Sequence, residues 1–219
     1  MSSTRESLKT QLLSMVGDYN AGKIDAPDTA DLEHLVQTLA TLSPIPDPTN
    51  HLSEVTGSWE TLYAVFGQGR SKAKSHQDDS TLGLQSFRAF PDSPIRVKQL
   101  IQEIGESPNT YNNVVLFEAA DAPVGGTIII HGTYEADPKD ARRFQVTFYC
   151  AEVRGRDGAS DAEIRAAFGY PDDFALKREF KPAHFWSDVV YLDEAIRINL
   201  GGMGGRYVLE RRSAPAITL

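Results

Sequence analysis

Few residues of this chain have the types and spacing for acid–base work. Asp193 and Arg197 stand four apart, a spacing that pairs an acid with a base on a helix and leaves both on one face of a strand. Two chemistries fit: an ion pair that fixes the last strands, or a carboxylate and a guanidinium working at a pocket. No second titratable partner is evident nearby, which favours the ion pair over catalysis. The histidines His34, His51, His76, His131 and His184 are scattered without metal-type spacing, and no cysteine cluster accompanies them, so no metal site is expected. Ser58, Ser86 and Ser187 lie in no nucleophile-elbow context, and Cys150 has no assignable histidine partner. The run Gly201-Gly202-Met203-Gly204-Gly205 lacks the Lys-Ser/Thr ending of a phosphate loop and reads as a hairpin connection. No catalytic residue is expected.

Composition sets the frame for these residues. The 219 residues are 41% hydrophobic and 24% charged, enough for one main domain with a sizeable core. A net charge of −8, with 30 acidic against 22 basic residues and no dense Lys/Arg block, disfavours phosphate backbones and anionic membrane surfaces. Nucleic acid is therefore not an expected partner. Cys150 is the single cysteine, a structural thiol within a strand, and cannot form an internal disulfide, which fits a reducing compartment. The start MSSTRESLKTQLL carries no signal-peptide core, and no stretch approaches a membrane-spanning helix, so any membrane contact is expected to be peripheral.

The elements that must position the chemistry change period along the chain. Leu8, Leu12, Met15, Val16 and Tyr19 recur at helical spacing; Leu32, Leu35, Val36, Leu39 and Leu42 do so again after Pro27. The two stripes predict a helical hairpin over residues 1–43, which could cap a barrel, dock on a partner or lie on a membrane, with capping the barrel favoured. Its mixed-charge polar face, with Glu6, Lys9, Asp18, Lys23, Asp31 and Glu33, is unlike the basic faces that grip anionic lipid. A proline-rich connector follows at 44–53, and residues 54–219 read as β structure. Strands are predicted at 55–66, 84–90, 95–104, 114–119, 126–135, 142–153, 194–200 and 206–211, with a polar loop at 67–80 and a short helix from Ser160 to about Phe168. The turns are marked by Asp92-Ser93-Pro94, Pro108-Asn109, Asp121-Ala122-Pro123 and Asp137-Pro138. Regular short spacing implies a meander, and closing it removes two vulnerable edges. The fold class is mainly β with α: an antiparallel β-barrel preceded by a helical hairpin.

Two segments resemble the signature of the PAP/fibrillin (plastid lipid-associated protein) family. One is Val55-Thr56-Gly57-Ser58-Trp59-Glu60-Thr61-Leu62-Tyr63 after the helical pair. The other is Tyr191-Leu192-Asp193-Glu194-Ala195-Ile196-Arg197-Ile198 followed by Gly204-Gly205-Arg206-Tyr207-Val208-Leu209. Asn113-Val114-Val115-Leu116-Phe117 and Arg143-Phe144-Gln145-Val146-Thr147-Phe148 sit where that family has its middle strands. The likeness covers nearly the whole chain; residues 67–80 and 155–185 depart from it. The resemblance implies a lipocalin-like barrel at thylakoid membranes or lipid globules, holding hydrophobic small molecules and serving photoprotection, with no enzyme activity established for the family. With no transit peptide before the first helix, the chain resembles a cyanobacterial member or a mature plastid form.

Gly57-x-Trp59 is also similar to the Gly-x-Trp that opens lipocalin barrels, where an indole plugs one end beneath a late-strand arginine. First and last strands of a closed meander are neighbours, so Arg197 or Arg206 could stack on Trp59. Gly57, Asn113 and Arg206 are the expected structural residues. Trp59, Tyr63, Phe117, Ile130, Phe148, Asp193 and Arg197 are the residues expected around a ligand. Both faces of the middle strands are partly apolar, and period alone leaves a filled core and a ligand cavity equally open. The leading expectation is a lipid, quinone or carotenoid carrier with no cofactor of its own, touching a membrane or lipid-globule surface. A filled barrel that serves as a scaffold for a protein partner is the alternative, and a chromophore lyase or isomerase using Asp193 and Arg197 is the third.

Overall fold

The computed structural model describes residues 2–66, 70–71, 90, 95–202 and 204–216. The expected loop at 67–80 with His76, the expected strand at 84–90 with Ser86, and the turn Asp92-Ser93-Pro94 fall outside the described residues, apart from Arg70, Ser71 and Phe90.

Helices α1 (Ser2–Asn20) and α2 (Thr29–Thr41) come first. The Asp28 side chain caps α2 by accepting from the Ala30 and Asp31 backbone N–H groups at 2.9 and 3.0 Å, satisfying donors that the helix itself leaves orphaned. The proline connector holds a 3₁₀ turn (Pro48–Asn50) and a one-turn helix α3 (Leu52–Val55). The β part runs β1 (Gly57–Phe66), β2 (Arg70–Ser71), β3 (Ile95–Glu106), β4 (Asn109–Ala119), β5 (Gly125–Ala136), β6 (Arg143–Gly155), then α4 (Asp161–Ala167), β7 (Lys177–Leu192), β8 (Ile196–Gly201) and β9 (Arg206–Arg211).

The sheet follows chain order, every pairing is antiparallel, and β1 pairs with both β3 and β9. Strands β1 and β3–β9 thus form a closed eight-stranded barrel, the antiparallel meander that the spacing predicts, with the two-residue β2 hanging beside β1. One barrel strand is absent from the sequence-based expectation. Strand β7 has an exposed, charged first half and contains Pro182, which argues against a central strand because proline lacks a donor. The β6–β7 register jumps from Phe148↔Ala183 to Cys150↔Glu179, so residues 180–182 bulge out and Pro182 breaks no ladder bond.

Register fixes which side chains face inward. Trp59, Gln102, Asn113, Ile130 and Ala151 oppose one another in successive pairs and share the inner face. Around them the interior divides into two apolar plugs. At one end Trp59, Ile104, Tyr111, Tyr134, Phe144, Val146, Val189, Leu192 and Leu209 pack beneath Ile45, Leu52 and Val55 of the connector and α3. At the other, Val115, Phe117, Ile128, Ile130, Ala151 and Val153 pack against Ile164 of α4 and the aromatic rings Phe168, Tyr170 and Phe174. A Ser160–Glu163 capping box starts that helix, as the serine-acid spacing predicts.

The helical hairpin does not sit over a barrel end. Its apolar stripe, including Leu12, Val16, Leu35, Val36 and Leu39, covers the outer wall at Tyr63, Tyr191, Ile196, Ile198 and Val208. The reason lies in β8 and β9, where Ile196, Ile198 and Val208 turn outward and would expose a contiguous apolar patch without the helices.

Close packing inside makes glycine necessary at two inner-face positions. A Cβ on Gly126 would meet the Phe117 ring at 2.3 Å, and one on Gly132 the Phe148 ring at 2.7 Å. Gly126→Ala is therefore expected to destabilise the fold by about 1–3 kcal/mol through overpacking, read as a lowered urea midpoint with unchanged slope.

Candidate functional site

The inner end of β1 is built around one indole. Trp59 has no exposed surface, and its Nε1 donates to the Val55 carbonyl at 2.8 Å, so the polar edge of the ring is satisfied while its faces are dry. Two guanidiniums lie over the ring, Arg211 at 4.1 Å and Arg197 at 4.7 Å from its centroid. Gly57 just before it has φ 119, a conformation glycine adopts freely, and a Cβ there would come within 3.1 Å of Arg211 Nη1. Of the two arginines expected over Trp59, Arg197 is there and Arg206 is not: Arg206 pairs with Glu33 of α2 and helps hold the hairpin on the wall. Sequence reasoning missed Arg211, although it is the direct cross-strand partner of Trp59 once β9 closes on β1.

The two arginines differ in how their donors are met. Arg211 gives Nη1 to the Thr56 carbonyl at 2.9 Å and Nε to the Glu194 carbonyl at 3.1 Å. Arg197 is wholly buried. Its Nη2 donates to Gln102 Oε1, which also accepts from the Tyr111 hydroxyl at 3.0 Å, while Nε and Nη1 have no partner among the described residues. Burial drives its pKa down to about 10, with Tyr111 opposing and Arg211 adding to the fall, so the group stays cationic at neutral pH. Nearby, Asn199 donates from Nδ2 to Ser187 Oγ at 3.1 Å but leaves Oδ1 unmet, and the Tyr134 hydroxyl is also unmet.

The expected Asp193–Arg197 ion pair does not form. On β8 the even positions Ile196 and Ile198 face the helices, which sends Arg197 inward, whereas Asp193 belongs to the preceding turn and lies on the outer side. There its Oδ1 accepts from the Ala195 and Ile196 N–H groups, both at 2.8 Å, and its Oδ2 from Tyr191 at 2.8 Å and Lys9 at 2.9 Å. Burial pushes the Asp193 pKa up, but Lys9, the turn amides and Tyr191 outweigh it and the net shift is downward. Asp193 is thus a knot between the β7–β8 turn and α1, and the acid and base do not meet at a pocket.

Between the two plugs runs an aromatic track. Phe148 lies over Gly132, 6.2 Å from the Tyr111 ring and 5.9 Å from Phe185. Phe185 opposes the inward-facing Val146, yet it is 38% exposed, so the inner face opens to solvent here. Leu100, Asn113 and Phe148 also keep accessible surface although register points them inward. An inner-face side chain keeps such surface only where the space beside it is unfilled. The structure therefore brings Asn113 and Phe148 to one lumen, with Trp59 and Arg197 sealed on the same inner face behind it, Ile130 beside Asn113 and Phe117 deeper in the plug next to α4. Tyr63 is placed elsewhere: the Thr61/Tyr63 bulge turns it outward onto Tyr19 of α1, ring centroids 5.8 Å apart.

Several other polar side chains are held by their neighbours. Glu152 accepts from His131 at 2.9 Å and pairs with Arg154 and Lys177, which together outweigh burial and bring its pKa down to about 2. Cys150 is buried, and that burial pushes its thiol up. Ser58 donates to Glu103 at 2.8 Å, and His184 bonds Thr147 at 2.9 Å. Among the described residues no three His, Cys, Asp or Glu side chains gather as a metal site, and no helix is long and apolar enough to cross a membrane.

No curated protein and no solved structure matches the chain. The PAP_fibrillin family model does, over residues 6–210, a span that runs from α1 through β9 and takes in both plugs, the lumen and the helical wall. The chain belongs to the PAP/fibrillin family.

Proposed function

We propose that this protein is a non-catalytic carrier that holds an apolar small molecule, such as a lipid, isoprenoid quinone or carotenoid, inside the barrel. We further propose that it works at the surface of photosynthetic membranes or lipid globules, as a cyanobacterial or mature plastid form. The observation that carries the reading is the incompletely filled inner face from Phe185 past Phe148 to Asn113, lined by rings and closed at both ends by apolar plugs. Family membership supports it. Separation of Asp193 from Arg197 withdraws the pair that a lyase or isomerase would use.

The test is solvent extraction and mass spectrometry of molecules that co-purify with the chain from a photosynthetic host. A Phe148→Trp variant, which fills the track, serves as the control. A stoichiometric apolar compound, reduced at least about fivefold in the variant, is expected. An empty wild-type barrel overturns the carrier reading and favours a filled scaffold that docks on a protein partner.

A further inference from the structure

A guanidinium sealed in a barrel without a counter-charge is expensive. Moving such an ion out of water costs several kcal/mol even after relaxation, and each unmet N–H adds to that. Arg197 is in this position: it has no exposed surface, one of its nitrogens reaches Gln102, and Nε and Nη1 reach nothing among the described residues. No described carboxylate pairs with it. Asp193, the acid nearest in sequence, is committed to Lys9 and to its own turn.

Stacking on Trp59 does not account for this charge. Arg211 already stands over the same ring at 4.1 Å, with its donors met by backbone carbonyls. A neutral side chain of similar length at position 197 would fill the same space at no electrostatic penalty. The environment of Arg197 is instead that of a donor set awaiting an acceptor. Asn199, two positions along the same strand and so on the same face, carries a further unmet polar atom, Oδ1. Gln102, which holds it, is the direct cross-strand partner of Asn113, one of the inner-face residues that keep accessible surface.

The approach to it is also built. From the exposed Phe185 the inner face passes to Phe148, then to Tyr111, whose hydroxyl bonds the same Gln102 oxygen that Arg197 contacts. An apolar chain can lie along these rings with its head at Asn113, beside Gln102, and a shift of the Gln102 side chain would bring that head onto the guanidinium, which has no accessible surface of its own. Resting on the carrier reading above, we infer that the molecule held in the barrel is an amphiphile with a carboxylate head, bound head-inward with that carboxylate on Arg197. The acid supplies the missing counter-charge, and a charge-assisted N–H···O⁻ bond replaces the unmet donors. The site thereby selects acids over alcohols and esters of equal chain length.

The test uses the full chain and two probes that differ only at the head, a C18 fatty acid and the matching C18 alcohol. Their affinities are measured by displacement of an environment-sensitive fluorophore at pH 8. The wild type is expected to bind the acid at least about tenfold tighter than the alcohol, the ratio that one charge-assisted bond confers. In Arg197→Met, which keeps an unbranched apolar stem and removes the charge, the acid-to-alcohol ratio is expected to fall to about one. The wild-type ratio needs no variant, so poor folding of Arg197→Met leaves the inference exposed to refutation. Equal binding of acid and alcohol by the wild type overturns the carboxylate assignment and leaves the carrier reading standing. So does a ratio that survives in Arg197→Met. Failure of both probes and of the co-purification experiment overturns the carrier reading itself.

Discussion

Replacing Trp59 by alanine is expected to remove about 3–5 kcal/mol of stability, the range for excavating a large buried aromatic. The loss is greater than area alone suggests, because three groups depend on the ring. Its Nε1 bond ties β1 to Val55 in α3, and its faces support the guanidiniums of Arg197 and Arg211. Without the indole, Arg197 remains buried beside a void. A domain of this size has only about 5–15 kcal/mol to lose, so the variant should melt far below the wild type. Chemical denaturation followed by far-UV circular dichroism measures it. A loss below about 1 kcal/mol would mean that the plug is held by Ile104, Tyr111 and Leu209 without its largest member.

Asp193→Ala ranks second, with an expected loss of about 3 kcal/mol. The substitution leaves two turn amides and the Tyr191 hydroxyl without an acceptor and leaves the Lys9 ammonium with only the longer Glu6 contact at 3.5 Å. Asp193→Asn keeps one carbonyl oxygen for the turn and should lose about half as much. The pH dependence carries the sign. The folded pKa of Asp193 is below its ordinary value, so its stabilisation is full above the unfolded value of about 4 and is lost as pH falls through the folded one. Melting temperatures from pH 6 to pH 2 should fall less steeply for Asp193→Asn than for the wild type. Parallel curves would show that Lys9 contributes nothing through this carboxylate.

Much of the barrel is legible in the sequence because its strands are apolar, short and punctuated. The spans read for β5, β6 and β9 match the structure to within two residues at either end, and turn residues mark the gaps. Strand β7 is not legible: half of it is solvated, and its proline is tolerated only because a bulge takes it out of the ladder. The site shows the same division. Trp59 and Arg197 can be paired in advance, since a closed meander makes first and last strands neighbours. Two other placements depend on local irregularity that periodicity does not encode. A one-residue bulge sends Tyr63 to the helices, and the turn holds Asp193 on the far side of the wall from Arg197. Arg211 is not legible because its role comes from register, in which it opposes Trp59.

The seam between β1 and β9 joins residues far apart in the chain, Trp59 with Arg211 and Val65 with Arg206. A ribosome must therefore release nearly everything between them before the seam can zip. Until then the β9 side of β1 is an open edge beside Trp59, and the outer residues Ile196 and Val208 that the hairpin needs for docking do not yet exist. Ordering the chain across so long a loop is entropically slow, and the waiting species is sticky. Biogenesis of this protein should accordingly lean on chaperones in proportion to how long β9 is delayed, for instance by slow translation of the last third of the message.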